Sequence, residues 1–453
     1  MPEQKFTQEE WESCIKVLTA LKDDPFDNPD NDLFKTLVTK IHKKAKKGIR
    51  KEEAETRRSE KAEVRLDTEI SKQAFNNTTS YSAEEIKYTE KYKRMSVPAN
   101  CYCCNQSFQD MHFFYNRLCP ECAEYNYKMR FVEVDLRGRN IILTGSRVKI
   151  GYATALKVLR GGANLIATTR FPALALEQFK AEKDYGIWKD NLTVYGLDLR
   201  NLRAVEEFIN YVKSKFTTLD IIVNNAAQTI KYTNEHYLPL VNNELLKLKE
   251  YSSETKLLPN TTPVSNDIKL LELKDAPITF DKNRFGQPID NRDKNSWNSK
   301  LDEISTFELL EVNLINQISP YILIKELKPL FLKSNFKDRF IINVTSSEGQ
   351  FSYTNKTIYH PHTNMTKAAL NMMTRTSAEE FAEDSIYMNS VDVGWISTGA
   401  KEELRKRQFE EGYIPPLDPV DGAARILSPI KEIMEGNKIL YGKLLKNYKV
   451  TEW

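Results

Sequence analysis

Five of the six cysteines in this 453-residue chain fall between positions 101 and 122. Cys101 and Cys104 form one C-x2-C pair, and after fourteen intervening residues Cys119 and Cys122 form a second. Each pair can place two thiolates on one tight turn. Two such turns facing each other make a tetrahedral all-sulfur cage, the donor set of a zinc ribbon. Four thiolates leave no open coordination position, so zinc held there would staple the fold and not catalyse. Cys103 can substitute for a neighbour, and His112 is a weaker alternative ligand. Reduced buried thiols without metal are the plainer alternative, but packing alone rarely produces paired spacing at both ends.

A second chemistry-bearing region starts further on, where short apolar runs alternate with helical patterns. Residues 140–145 read as a buried strand ending in a turn, followed by a helix through Ala153, Leu156, Val158 and Leu159. Residues 164–169, 192–197, 219–224, 339–344 and 387–392 repeat the strand pattern. This rhythm predicts an α/β fold, a Rossmann-type doubly wound parallel sheet with right-handed crossovers. Such a sheet binds its ligand beyond the carboxyl ends of the strands.

Whole-chain figures bound the remainder. At about 150 residues per domain the length suggests two to three domains. Lys and Arg number 66 against 63 Asp and Glu, a formal charge of +3. That balance argues against a surface coated in nucleic-acid-binding charge and leaves room for a local basic patch. No run of 18 apolar residues occurs, so no spanning helix is expected. The chain opens on charged residues and clusters its thiols like a metal site, so a cytoplasmic location without a secretory signal is expected.

Residues 1–98 are expected to be a charged helical region and linker, 99–135 a four-cysteine zinc-ribbon-like module, and 136–453 the Rossmann domain. Thr7, with Glu9 and Glu10 after it, has the form of a helix N-cap. Trp11, Ile15, Val17, Leu18 and Leu21 give an approximate helical stripe. Residues 40–58 are basic, with glutamates entering further on. They can bind an acidic partner such as nucleic acid, or serve as an import signal. A solvated helix with Glu–Lys pairs is the preferred reading, because no aromatic residues interleave the charges. Residues 76–98, with their Asn, Thr and Ser, read as a linker.

The turn after the first strand of the α/β region is Thr144-Gly-Ser-Arg-Val-Lys-Ile-Gly151. Backbone N–H groups and a helix N-terminus at such a turn can face a pyrophosphate. With the landmarks that follow it in order, this run resembles the short-chain dehydrogenase/reductase family over most of residues 136–453. The family's T-G-x3-G-x-G pattern is matched except at its middle glycine, which is Lys149. A bulky residue there restricts how the turn is built, while its charge can compensate, as a basic residue does in the family's pteridine reductases. The resemblance assigns Thr144, Gly145, Arg147, Lys149, Ile150 and Gly151 to the cofactor. In Thr168-Thr-Arg170, hydroxyls and Arg170 stand where an acid would bind the ribose 2′-OH of NAD, and they suit the 2′-phosphate of NADP. Asp198 resembles the adenine-contacting aspartate. Asn224-Asn-Ala-Ala227 resembles the N-N-A-G element and brings Asn225 and Ala226 to the cofactor. Gly394-Trp-Ile-Ser-Thr398 resembles the P-G-x3-T loop that contacts the carboxamide, with Val393 in place of proline, and contributes Gly394, Ile396 and Thr398. Asn316, preferred to Asn313 from the positions of Pro320 and Pro329, resembles the active-site asparagine. Ser346 matches the substrate-orienting serine, and Lys367 the lysine that holds the nicotinamide ribose.

One departure matters most. The family's proton donor is a tyrosine one helical turn before the lysine, and that position is Thr363. A threonine hydroxyl is shorter and far less acidic than a phenol. Losing a positioned acid typically costs about 10²–10⁴ in rate, or roughly 3–5.5 kcal/mol of barrier. In one account the acid has moved to Tyr359, just outside the helix that Pro361 starts, or to His362, next to the vacant position. A zinc-ribbon-bearing subgroup of the family has a stretch similar to His360-Pro-His-Thr-Asn-Met365. In the other account the domain binds nucleotide without turning it over, since a fold does not guarantee its usual chemistry.

Residues 230–300 read as an insertion at the fourth strand, with Leu245, Leu246, Leu248, Leu258 and a turn-like Phe285-Gly-Gln-Pro-Ile. Loops of this length at strand ends are commonly lids or binding loops. The expectation is thus an NADP(H)-dependent oxidoreductase with a structural zinc. It would move hydride to or from a carbonyl/alcohol or C=N/C=C centre of a small molecule. The competing class is a silent NADP-binding scaffold or sensor subunit. Protein partners at the N-terminal helices and the insertion, or a homo-oligomer, are compatible with both. No membrane or nucleic-acid partner is expected.

Overall fold

A computed structural model describes residues 5–259, 274–354, 356–436 and 438–453; part of the expected insertion, residues 260–273, lies outside the described residues. The chain divides into two compact units, residues 1–61 and 62–453. Two helices begin in the first unit, α1 (Gln8–Asp23) and α2 (Asn31–Leu66). α1 starts as its sequence implies. Thr7 Oγ1 accepts the Glu10 amide at 3.2 Å while the Glu10 carboxylate accepts the Thr7 amide at 2.7 Å, a reciprocal capping box. Among the described residues no helix is long and apolar enough to cross a membrane.

The second unit opens with α3 (Glu69–Phe75), an antiparallel ribbon of β1 (Tyr92–Asn100) and β2 (Ser107–His112), and α4 (Pro120–Arg130). β1 begins inside the stretch read as linker, and the N-terminal helices stop at Phe75. Its strand character comes from pairing Tyr92 with His112 and Asn100 with Ser107, which local composition does not carry.

The sheet follows as β3 (Asn140–Thr144), β4 (Asn164–Thr169), β5 (Leu192–Gly196), β6 (Ile221–Asn224), β7 (Leu257–Leu258), β8 (Arg339–Thr345), β9 (Ile386–Asp392), β10 (Leu444–Lys446) and β11 (Lys449–Thr451). Its order is β11-β10-β9-β8-β6-β3-β4-β5-β7, parallel throughout except for β11. All six sequence-read strands are present; β7, supplied by the insertion, lengthens one edge. Side chains alternate across it. Ile141 and Leu143 enter one core and Ile142 the other, as do Ile221 and Val223 against Ile222.

Helices cover both faces. One layer holds α5 (Lys149–Arg160), α6 (Pro172–Lys180), the short α7 (Tyr185–Trp188) and, from the far end of the chain, α14 (Pro419–Met434). The other holds α8 (Leu202–Lys215), α11 (Ser319–Leu332) and α12 (Pro361–Glu383). A π-helical turn, Leu314–Ile318, joins α10 (Thr306–Asn313) to α11. The insertion contributes α9 (Asn234–Glu250), and α13 (Glu402–Glu410) precedes α14. β4 and β5 follow β3 to one side and the chain then crosses back to add β6 on its other side, so the strand order reverses at β3 and a crevice opens above the carboxyl ends.

The cysteine-bearing ribbon is bolted to this layer by a buried charge cluster. Arg130 Nη1 donates to Asp418 at 2.7 Å and to Asp421 at 3.1 Å, and Tyr115 donates to Asp421 at 2.6 Å. All four side chains are buried. Arg130→Ala would leave two carboxylates without their cation, so the unfolding free energy should fall by about 3–5 kcal/mol in a urea titration. A loss below about 1 kcal/mol would show that the cluster is not the clamp.

Candidate functional site

β3 stops at Thr144 and α5 starts at Lys149, which leaves their connecting turn at the crevice. Gly145 has φ +72°, and a Cβ there would lie 2.9 Å from Ala226 Cα. A Cβ on Gly151 would meet the Gly145 carbonyl oxygen at 1.9 Å and Asn225 Nδ2 at 2.6 Å, so only glycine fits. Lys149 itself adopts φ +53°. The backbone therefore takes a left-handed form that favours glycine, and the cost of holding it is borne at a lysine. Asn225 locks the turn, its side chain donating to the carbonyls of Thr144 and Gly145 at 3.0 and 3.1 Å. Thr144 Oγ1, buried beneath, accepts the amides of Asn225 and Ala226.

The turn opens on a cavity of about 420 Å³. Of the positions assigned to the cofactor by resemblance, Thr144, Lys367, Gly394 and Ile396 do not line it and the others do. Three cations line it. Burial, with Arg170 adding repulsion, pulls Arg147 down to about 10. Burial, with Arg284 of the insertion adding repulsion, pulls Lys149 down to about 8. Arg170 Nη2 donates to the Tyr237 hydroxyl at 3.2 Å, its guanidinium lies over the Tyr237 ring, and its Nη1 is buried without a hydrogen-bond partner. The nearby carboxylate of Glu244, raised to about 7 by burial, is engaged by the Ala173 and Leu174 amides at the start of α6. Asp198 is paired with Arg200 at 2.6 Å. What remains is a crowded positive cradle around a glycine turn, an arrangement that an anion relieves.

The loop after β9 borders this cradle. The Trp395 amide donates to Tyr102 Oη at 2.8 Å, and Arg284 Nη2 donates to the Ile396 carbonyl at 2.9 Å. Ser397 Oγ lies 3.4 Å from Lys149 Nζ. Tyr102 belongs to the first cysteine knuckle. There the sulfurs of Cys101, Cys104, Cys119 and Cys122 gather within 4.8 Å of one another, with Cys104 and Cys119 at 3.7 Å. A tetrahedral zinc with ligands at about 2.3 Å requires sulfurs about 3.8 Å apart, so the donor set fits that ion. His112 stands outside the group and its Nδ1 accepts the Phe114 amide at 3.1 Å; Cys103 is also outside it.

The residues expected to do chemistry are less gathered. Asn316 sits in the π-turn and donates to Thr366 Oγ1 at 3.0 Å, whereas Asn313 bonds back to its own helix at Leu309. Lys367 Nζ donates to the Val344 carbonyl at 2.7 Å, and burial lowers it to about 8. Ser346 is half-buried just past β8. Tyr359 precedes α12 and is 38% exposed. His362 is buried, with Nε2 3.4 Å from Glu308, and Thr363 is buried with its hydroxyl unpartnered. None of Ser346, Tyr359, His362 and Lys367 lines the cavity. On that side its wall is Trp297, which stacks on His360 at 4.5 Å and packs against Gly399. Tyr102, Tyr237, Arg284 and Trp297 were not readable as site residues. They come from the knuckle and the insertion, and no spacing marks them.

Fold and turn together define a doubly wound protein with an anion cradle at its switch point. Residues 139–244 match the family model described as short chain dehydrogenase, and residues 294–415 the one described as enoyl-(acyl carrier protein) reductase. The chain belongs to the short-chain dehydrogenase/reductase family. It is 32% identical over 341 residues to uncharacterized protein R665 of Acanthamoeba polyphaga mimivirus, covering 73% of this chain and 71% of that protein. It is 23% identical over 314 residues to short-chain dehydrogenase/reductase 1 of Saponaria officinalis, covering 62% and 88%. Among solved structures, NADPH-bound carbonyl reductase from chicken fatty liver aligns with a TM-score of 0.45 at 18% identity, covering 70% of this chain and all of that one.

Proposed function

We propose that the cradle binds NADP(H) and that the protein is an NADP(H)-dependent oxidoreductase carrying a structural zinc. The observation that supports this best is Arg170. It stands past the end of β4, where an acid would select NAD, and its buried Nη1 has no protein acceptor. In this reading the amides of the 145–151 turn and Lys149 hold the pyrophosphate, Arg147 and Arg170 the 2′-phosphate, and Thr398 with its loop the nicotinamide end, a reading supported by the one cavity that Arg147, Lys149, Arg170 and Thr398 all line. NADP(H), when bound, supplies or accepts the hydride. Lys367 holds the ribose, Ser346 and Asn316 orient the small-molecule substrate, and Tyr359 or His362 supplies the proton. The four thiolates hold zinc and fix Tyr102 against the Trp395 amide.

A second reading, a silent NADP-binding scaffold, is favoured by one observation. Thr363 is buried in the acid's position, and no candidate donor lines the cavity.

Calorimetric titration should show NADPH bound at micromolar Kd and NADH at least about tenfold more weakly, with Arg170→Glu reversing the preference. Equal affinities unchanged by Arg170→Glu would place the 2′-phosphate elsewhere. Where turnover is found, Tyr359→Phe or His362→Ala should slow it by at least about tenfold; full rates in both variants would remove both donors. Elemental analysis is expected to find about one zinc per chain, lost in Cys101→Ser. Folded, metal-free wild-type protein would overturn the staple.

A further inference from the structure

The region of α2 between Leu33 and Lys51 contains eight cations, Lys35, Lys40, Lys43, Lys44, Lys46, Lys47, Arg50 and Lys51, and no carboxylate. At about 100° per residue the apolar side chains Leu33, Phe34, Leu37, Val38, Ile41 and Ile49 fall within an arc of about 160°. Six of the eight cations take the opposite half of the helix, and Lys44 and Lys51 lie at one edge of the apolar arc. This region is about 28 Å long. No residue of α2 is buried; Ile41 is 67% exposed and Leu33 55%. Among the described residues, the only ion pair of the eight cations joins Lys51 to Glu55, at 3.7 Å. The Glu–Lys pairing expected of a solvated helix thus begins only where the basic stretch ends. A helix inside a globular fold shows an apolar stripe that its own core covers. Here the apolar half is wider than such a stripe, and all of its side chains except the half-buried Phe34 are exposed.

We infer that this face of α2 is a docking surface for an anionic lipid membrane, on which the helix lies parallel to the surface. The charge pattern selects that occupant. A bilayer interface takes up a whole apolar half while its anionic headgroups meet the cations flanking it on both sides, so both halves of the helix are satisfied together. A duplex would meet the cations and leave the apolar arc exposed. A helix-binding groove in another protein reads a few anchors at i, i+3, i+4 and i+7, which does not require a carboxylate-free polar half. A second copy of this stretch repels the first. Phe6 and Trp11, stacked at 5.7 Å and both exposed beside the start of α1, are side chains suited to the headgroup level. The missing apolar run excludes a span and does not bear on a surface helix. The inference is independent of the nucleotide reading.

The test is sedimentation of the full chain with vesicles of phosphatidylcholine, alone or with about 30 mol% phosphatidylserine. Binding to the anionic vesicles should be at least about tenfold tighter and should weaken in about 0.5 M NaCl. Both Leu37→Asp/Ile41→Asp and Lys43→Glu/Lys47→Glu should reduce it at least about tenfold. These positions are exposed, so the melting temperature should not move, which separates lost docking from lost folding. Failure to sediment with anionic vesicles overturns the proposal. So does binding that survives Leu37→Asp/Ile41→Asp, which would be charge alone. Tighter binding to a mixed-sequence DNA duplex, unaffected by that variant, would assign the face to nucleic acid. Capture by calcium-loaded calmodulin without vesicle binding would assign it to an acidic protein groove.

Discussion

The buried guanidinium of Arg130 holds two structural systems in one register. Asp418 is the N-cap of α14, accepting the amides of Val420 and Asp421 at 2.9 and 3.1 Å, and the same carboxylate oxygen accepts Arg130. Capping satisfies amides that a helix start leaves open, while the ion pair neutralises charge that burial would make costly. Arg425, about two turns past Asp418 on α14, reaches Asn126 on α4 at 2.7 Å and the Val393 carbonyl at 3.4 Å. The helix that packs on α5 is thereby tied at two levels to the cysteine-bearing module. Because Tyr102 rides on that module and accepts the Trp395 amide, the cysteine-bearing turn holds a loop at the edge of the cationic cradle. The four-cysteine cluster stands outside the cleft and reaches its edge through one hydroxyl.

What the sequence disclosed and what it withheld divide along contact distance. The strands at 140–145, 164–169 and 387–392 declare themselves through local apolar runs, and the two C-x2-C pairs through local spacing. Thr7 and Glu10 form their box within four residues. β1 was hidden because its pairing partner lies beyond a thiol-rich turn. β7, β10 and β11 were hidden because two- and three-residue strands have no periodicity to detect. Arg284 reaches Ile396 across more than a hundred residues, and Trp297 reaches His360 across more than sixty, so neither announces its role. Lys149 is an intermediate case. Its place in the glycine pattern was legible, but its left-handed backbone was not, because side-chain identity argues against that conformation.

The insertion acts on both ends of the cleft. Tyr237 and Arg284 tighten the cationic end, one by holding Arg170 and the other by crowding Lys149. At the other end Trp297 and its neighbour Ser299 are joined to the start of α12 by three contacts. The Trp297 ring stacks on His360, its carbonyl meets His360 Nδ1 at 2.8 Å, and the Ser299 carbonyl accepts the His360 amide at 2.8 Å. His360 holds φ +44° and caps the helix that carries Thr363 and Lys367. The cavity wall at Trp297 and the left-handed turn at the head of α12 are therefore one packed junction. That wall residue and the segment carrying Tyr359 and His362 thus meet at His360, so the insertion packs directly against the start of the helix that carries Thr363 in place of the family's phenol.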